Sequence, residues 1–192
     1  MTHIKSLVNN YGEVVEGPIL LTPSLKYDER GFFVESWNQN EFNSLIGSEI
    51  KFLLDGHSLS KKGVLRGLHY QIPPNQQGKL VRCIIGEIYD VIVDIRKTSK
   101  TFGEWYGIEM NAADHYQLWI PPGFAHGFLS LNQDSIVLYK VDQFRYQNHE
   151  RILKWNDELV GIKWPQLKEP YHLSEKDKNA PTLTEIYEDD LF

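Results

Sequence analysis

Along this chain apolar and polar positions alternate in short bursts. Residues 32–37, FFVESW, put Phe33 and Glu35 on one face of an extended segment and Phe32, Val34 and Ser36 on the other. Further short segments predict strands at residues 19–25, 50–54, 63–70, 79–85, 88–96, 105–110, 115–120, 125–131 and 135–144. Turn formers separate them: Asp-Glu-Arg-Gly at 28–31 closes a turn, and Gly86-Glu87 and Gln133-Asp134 suit hairpins. NQNEFNSLIG, residues 38–47, reads as the one short helix, with Asn38 or Asn40 as its cap and Gly47 as its stop. Residues 4–15 are too polar to assign and are expected to form an extra arm. After Arg145 the pattern changes, and ILKWNDELVGIKWP sets Trp155 and Trp164 on a charged background, as a return segment packing against the strands would.

Many closely spaced strands without long helical patterns predict an all-β sandwich or barrel rather than a parallel α/β sheet. At 192 residues and 41% hydrophobic content the chain is expected to form a single domain, 1–192, around one core. The one cysteine, Cys83, has no partner for an internal disulfide, and beside Ile84 and Ile85 it reads as an inert thiol in a core strand. The N-terminal stretch lacks the apolar run of a signal peptide and no segment is apolar enough to span a membrane, so the cytoplasm is expected. A formal net charge of −6 argues against binding the backbone of a nucleic acid. A small anionic ligand remains compatible, with Arg30, Arg66, Lys79 and Arg82 as local sources of positive charge.

The chemistry concentrates in KGVLRGLHYQIPPNQQGKLVR, residues 62–82. Its spacing resembles the first metal motif of the cupin jelly rolls, with Gly63, His69 and Gly86 in frame. Gln71, however, stands where that motif has a second histidine, and Lys79 where it has a glutamate. A protonated lysine repels a divalent cation, so a cupin-like barrel without the usual metal is expected. IPPGFAHGF, residues 120–128, resembles the second cupin motif, with His126 as its histidine. A cation beside a histidine suits proton abstraction next to a carbonyl, because the base takes the proton and the cation meets the developing enolate oxygen.

DERGFFVES, HSLSKKGVLRGLHYQIPPNQQGKLVR, DVIVDIR, TFGEW, LWIPPGFAHGF, YK at 139–140, WND and LSEKD together resemble the dTDP-4-dehydrorhamnose 3,5-epimerase family, over most of the stretch from Asp28 to Asp177. The resemblance implies a cofactor-free epimerase of a nucleotide-linked 4-keto-6-deoxyhexose, and a homodimer. It implies His69 as general base, Asp177 as its orienting carboxylate, Lys79 as the enolate stabiliser and Tyr139 as the acid on the opposite face. By the same resemblance His126 and Asp90 form a supporting pair, Arg66 meets the diphosphate or sugar, and Arg30, Phe33 and Glu35 meet the nucleotide, with Arg30 reaching in from a partner subunit. Phe144 stands where relatives commonly carry a tyrosine that stacks on the base. In LDGHS, Leu54 and Gly56 replace the glutamine and asparagine common in the family.

The residues taken alone favour blander roles. Tyr139 alternates with Val137 and Val141 as a core residue would, Asp177 lies in the charged stretch SEKDKN, and Asp189 and Asp190 read as a solvated tail. Arg66 and His69, three residues apart, should face opposite ways on a regular strand, so the ligand-facing roles that the resemblance implies for both call for a bulge near Gly67. The competing functions are a single-site epimerase, an enzyme using CDP or another nucleotide, a metal-dependent cupin, and a non-catalytic sugar-nucleotide binder.

Overall fold

The computed structural model describes residues 2–8, 14–132 and 134–192. Its strands are β1 (His3–Val8), β2 (Val14–Thr22), β3 (Leu25–Asp28), β4 (Gly31–Val34), β5 (Leu54–Ser60), β6 (Leu65–Gln71), β7 (Lys79–Ile85), β8 (Glu87–Asp94), β9 (Trp105–Asn111), β10 (Gln117–Ile120), β11 (Phe124–Ser130), β12 (Ser135–Val141) and β13 (Glu150–Ile152). Helix α1 (Gln39–Ile46) follows β4, and a single turn, α2 (Glu175–Lys178), lies near the C-terminus. A six-stranded sheet runs β1-β2-β10-β7-β12-β5, a five-stranded sheet runs β13-β6-β11-β8-β9, and β3 pairs with β4 alone. From β5 onward the chain changes sheet at every step but the β8–β9 hairpin. That crossing is how a jelly roll binds two sheets into one sandwich.

Three apolar layers follow from the strand alternation. Between the sheets, Val81, Cys83, Leu118, Ile120 and Val137 meet Ile88, Ile92, Met110, Phe124 and Phe128. The outer face of the five-stranded sheet is also apolar, and Val91, Val93, Ala125 and Leu129 pack beneath Leu153, Val160 and Trp164 of the return segment. Trp164 donates its indole N–H to the carbonyl of Trp155, 2.8 Å away, which leaves its apolar body free to seal this layer. β11 is therefore buried along its whole length, and its sequence FAHGFLS lacks a solvent-facing polar set. Over the outer face of the six-stranded sheet, Phe42 of α1 packs on Leu21, Leu80 and Trp119.

The helix begins and ends as its sequence indicates. The Asn38 side chain accepts from the N–H of Glu41, and Gly47 closes the helix in the left-handed region at φ 69°. Several strand boundaries differ from the sequence pattern. The segment expected at 50–54 forms a strand only from Leu54, because the partner β12 runs antiparallel from Val141 opposite Leu54 to Ser135 opposite Ser60. His115 adopts φ 55° and stays outside β10. Residues 4–8 of the polar arm lie in β1, antiparallel to β2, and its residues 14 and 15 begin β2; residues 9–13 of that arm, and Gln133 of an expected hairpin turn, lie outside the described residues. Asp190 is not a solvated tail residue. It pairs with Arg151 at 2.7 Å, and the terminal Phe192 donates its N–H to the carbonyl of Ile95.

The bulge required by the positions of Arg66 and His69 is present. β11 pairs His126 with His69 and Phe128 with Arg66, so Gly67 and Leu68 together oppose Gly127 alone. Gly67 takes φ 136°, open in practice only to glycine. A Cβ on Gly127 would stand 2.5 Å from the carbonyl oxygen of Arg66 and 2.9 Å from the Cα of Gly67, both backbone atoms. The two chains can cross only where both residues lack side chains.

Gly127 has no left-handed φ, so its substitution tests this contact by sterics alone. Gly127→Ala is expected to lower stability by about 1–3 kcal/mol or more, as overpacking against an immobile backbone does. Urea unfolding checks it, and a midpoint equal to that of the parent protein would count against the crossing.

Candidate active site

The bulge opens onto a cavity of about 630 Å³ between the sheets. His69 from β6, Lys79 from β7, His126 from β11 and Tyr139 from β12 line it, together with Arg66 and, from α2, Asp177. The five-stranded sheet supplies the histidines and the six-stranded sheet the lysine and tyrosine, so the two sets come from opposite walls.

His69 Nε2 lies 2.6 Å from Oδ1 of Asp177, whose side chain is only 4% exposed. The short helix α2 holds that carboxylate: Ser174 donates to Asp177 Oδ2 at 2.8 Å, and its hydroxyl oxygen accepts from the Asp177 N–H at 3.2 Å. Burial drives the His69 pKa down. The hydrogen bond and charge of Asp177 oppose this and Lys79 and Lys176 reinforce it, leaving the imidazole below its ordinary value. For Asp177 burial acts upward, yet the bonds from His69 and Ser174 and the nearby charges prevail and keep its carboxyl below the usual range. The site thus holds a neutral base beside an ionised carboxylate.

Lys79 donates from Nζ to the carbonyl of His69 at 3.0 Å, which ties the cation to the backbone of the base. Its enclosure by the cavity walls lowers its pKa to about 8, although Asp90 and Glu150 act the other way. Asp90, fully buried, places both carboxylate oxygens 3.0 Å from His126 Nε2. Arg66 turns its guanidinium to Ser60 Oγ and the Leu59 carbonyl, 3.0 and 3.1 Å away, and so stands at one side of the cavity. Among the described residues no group of three or more His, Cys, Asp or Glu side chains is placed to hold a metal ion. Gln71, in the position of a cupin histidine, instead pins a loop: it donates to the carbonyls of Asn75 and Phe144 and accepts from the N–H of Tyr146.

The remaining candidates lie outside the cavity. The β3–β4 hairpin carries Arg30, 85% exposed in its side chain and paired with Asp28 at 2.6 Å, and Phe33, 65% exposed. Glu35 accepts from Asn38 Nδ2 near the start of α1, and the Phe144 ring is exposed. Arg82 does not serve the cavity. Strand alternation sends it to the other face of β7, where its Nη2 lies 3.4 Å from His115 Nδ1.

Sequence patterns passed over a charged group at the rim. Glu150 bonds both Arg145 and Lys176, and these partners outweigh its burial and bring its pKa to about 2. Lys176 stands next to Asp177 in LSEKD, so the motif contained it, but a lysine in a charged loop carries no sign of facing inward. Arg66, Lys79, Arg145, Arg151 and Lys176 line the cavity against Glu150 and Asp177, which makes it cationic inside an acidic protein.

The family description dTDP-4-dehydrorhamnose 3,5-epimerase matches residues 13–185. The dTDP-4-dehydrorhamnose 3,5-epimerase of Salmonella typhimurium is 52% identical over 165 residues, 86% of this chain and 90% of that protein. The crystal structure of dTDP-6-deoxy-D-glucose-3,5-epimerase from Legionella pneumophila, in complex with dTDP-4-keto-L-rhamnose, superposes with a TM-score of 0.90 at 39% identity and covers 98% of this chain and 97% of its own. A 3'-monoepimerase from Streptomyces bikiniensis, in complex with dTDP-quinovose, is 33% identical with a TM-score of 0.83, over 88% of this chain and 85% of its own. The jelly roll, the paired histidines and the half-buried lysine therefore sit in a chain that belongs to the dTDP-4-dehydrorhamnose 3,5-epimerase family.

Proposed function

We propose that this protein acts as a single cofactor-independent domain that epimerises dTDP-4-dehydro-6-deoxy-D-glucose at C3 and C5 to give dTDP-4-dehydro-L-rhamnose. The observation that carries the reading is the opposition of His69, backed by Asp177, to Tyr139 across one cavity, with Lys79 beside them. The ligand named for the Legionella enzyme is the product of this reaction.

The Asp177 carboxylate needs a donor, so the proton of neutral His69 sits on Nε2 and Nδ1 keeps its lone pair. Nδ1 takes the proton from the carbon next to the C4 ketone. The bonding pair moves into the carbonyl, and the resulting enolate oxygen meets the Lys79 ammonium. The Tyr139 phenol then gives its proton to the same carbon from the other face, the carbonyl re-forms, and exchange with solvent restores both groups. Repetition at the second carbon completes the double inversion. Asp90 and His126 support this wall, and Arg66 meets the diphosphate.

Arg30, Phe33, Glu35 and Phe144 belong, in this reading, to the nucleotide end of the site in a homodimer. The β3–β4 hairpin leaves Tyr27, Phe32 and Phe33 exposed, a costly arrangement for an isolated chain and an apt one for an arm that enters a partner's cavity. No helix among the described residues is long and apolar enough to cross a membrane, and the cytoplasm is the proposed compartment. A single-site epimerase is the second reading, favoured by the likeness to the Streptomyces monoepimerase and by Leu54 and Gly56 in LDGHS.

Deuterium entry from heavy water at C3 and C5 of dTDP-4-keto-6-deoxyglucose, followed by NMR, is expected at both carbons. His69→Ala is expected to slow it by about 10²–10⁴-fold. Entry at one carbon would establish the single-site reading, and an undiminished rate in the variant would remove His69 as the base.

The pH profile of kcat/KM, which reports the free enzyme's groups, should be a bell. Its acid limb falls below the ordinary histidine value, because His69 must be neutral and burial lowers its pKa. Its alkaline limb lies near the Lys79 value of about 8, above which the ammonium is lost. Lys79→Met is expected to cost about 10²–10³-fold in kcat and to abolish the alkaline limb; a limb that survives the substitution would assign it to another group.

Sedimentation should give a dimer, and Arg30→Ala should raise KM about tenfold, or about 1.4 kcal/mol, with kcat nearly kept. Full activity in a monomer would exclude a contribution of Arg30 across an interface.

A further inference from the structure

The rim of the cavity carries a cluster of three charges that the proton transfers do not use. Glu150 lies low in it, its side chain 19% exposed, and accepts from two cations that stand further out, Arg145 at 72% and Lys176 at 55%. Arg145 forks onto the carboxylate, Nε to Oε1 and Nη2 to Oε2, the second bond at 3.0 Å. Lys176 Nζ reaches the same Oε2 at 3.2 Å. Two positive groups side by side therefore share one negative charge, and the cluster as a whole stays positive.

The backbone that carries Arg145 is fixed on both sides. Gln71, the last residue of β6, donates to the carbonyl of Phe144 and accepts from the N–H of Tyr146, so the residue between them is held in place. The same Gln71 stands opposite Glu150 in the register of β13 against β6. Loop and carboxylate are thus anchored on one strand end, and the guanidinium is oriented before any ligand arrives. Its bonds to Glu150 use two of the five N–H groups of an arginine and leave the others for an acceptor.

Arg145 and Lys176 both line the cavity. Lys176 adjoins Asp177, the partner of His69, and Arg145 adjoins Phe144. The cluster therefore lies between the reacting pair and the ring read as the stacking partner of the base. A sugar held at His69 and a base held at Phe144 would carry their linking diphosphate across it. Arg66 stands toward the other end of β6, on Ser60 and Leu59.

We infer that Arg145 is a binding residue for the nucleoside-side phosphate of the substrate, oriented for that contact by Glu150. The inference rests on the nucleotide-sugar reading of the cavity and adds to it a contact outside the reacting groups. A guanidinium fork matches the oxygens of a phosphate in a way that the point charge of a lysine does not. Arg145 should accordingly govern affinity far more than turnover.

The test measures the binding of dTDP and of dTMP by calorimetry, and KM and kcat on dTDP-4-keto-6-deoxyglucose, for the parent protein, Arg145→Gln and Arg145→Lys. Arg145→Gln is expected to raise the Kd of both nucleotides about tenfold, the scale of one lost charge-assisted hydrogen bond. KM should rise in parallel with a much smaller change in kcat, and the salt dependence of dTDP binding should flatten. Arg145→Lys should restore the salt dependence but only part of the affinity. Because dTMP keeps only the nucleoside-side phosphate, a loss confined to dTDP would overturn the assignment to that phosphate. An unchanged Kd in Arg145→Gln, or a weaker Kd with the salt dependence of the parent, would overturn the phosphate contact and leave the epimerase reading intact. A parent protein that binds neither nucleotide and exchanges no deuterium into the sugar would remove the nucleotide-sugar reading, and the role of Arg145 with it.

Discussion

The crossing of Gly67 and Gly127 is the constraint on which the site depends. A regular strand would send Arg66 and His69 to opposite faces, and only an inserted residue brings both to the cavity. The insertion requires β6 and β11 to approach until a Cβ on either glycine would fall 2.5 Å from a backbone atom of the other strand. Beyond the bulge the register resumes, so that His69 stands opposite His126 and the two histidines share one wall. Shape and chemistry at this point have a single cause.

The cavity then solves an electrostatic problem. An ammonium enclosed by protein loses much of its hydration, and an isolated buried charge costs several kcal/mol on the order seen in protein interiors. The fold answers this for Lys79 with the carbonyl of His69 and the more distant Asp90 and Glu150, and the ammonium still titrates near 8. The carboxylates are treated differently. Asp177 is held by the imidazole and by a serine hydroxyl, and Asp90 lies behind His126, so these two anions stand behind histidines, while Glu150 is held at the rim by Arg145 and Lys176. That ordering lets an acidic protein present a cationic cavity to an anionic sugar nucleotide.

The same economy appears in the outer layers. The five-stranded sheet carries apolar residues on both faces and stays in water only because the segment after Arg145 returns over it, through Leu153, Val160 and Trp164. This segment also delivers α2, and with it Asp177, to the cavity. Covering a hydrophobic face and completing the His69–Asp177 pair are thus parts of one path of the chain.

Local patterns determined a good deal by themselves. A cap at Asn38 or Asn40, the stop at Gly47 and the strand Lys79–Ile85 follow from residue types and spacings that act over a few positions, whereas the bulge near Gly67 and the reading of Gln71 and Lys79 in place of metal ligands needed the resemblances as well. Strand ends were less legible: β5 begins at Leu54 because β12 pairs with it there, and β1 and β13 carry too few apolar residues to announce themselves without their partners. Only the tertiary structure decided what charged and polar residues do. Asp177 and Lys176 read as a solvated loop and Asp190 as a free tail. Each is held by a neighbour distant in sequence, His69, Glu150 and Arg151 respectively. Hydrophobic periodicity records which side of an element is buried, whereas a charge or a missing side chain acquires meaning only from the group that folding places against it.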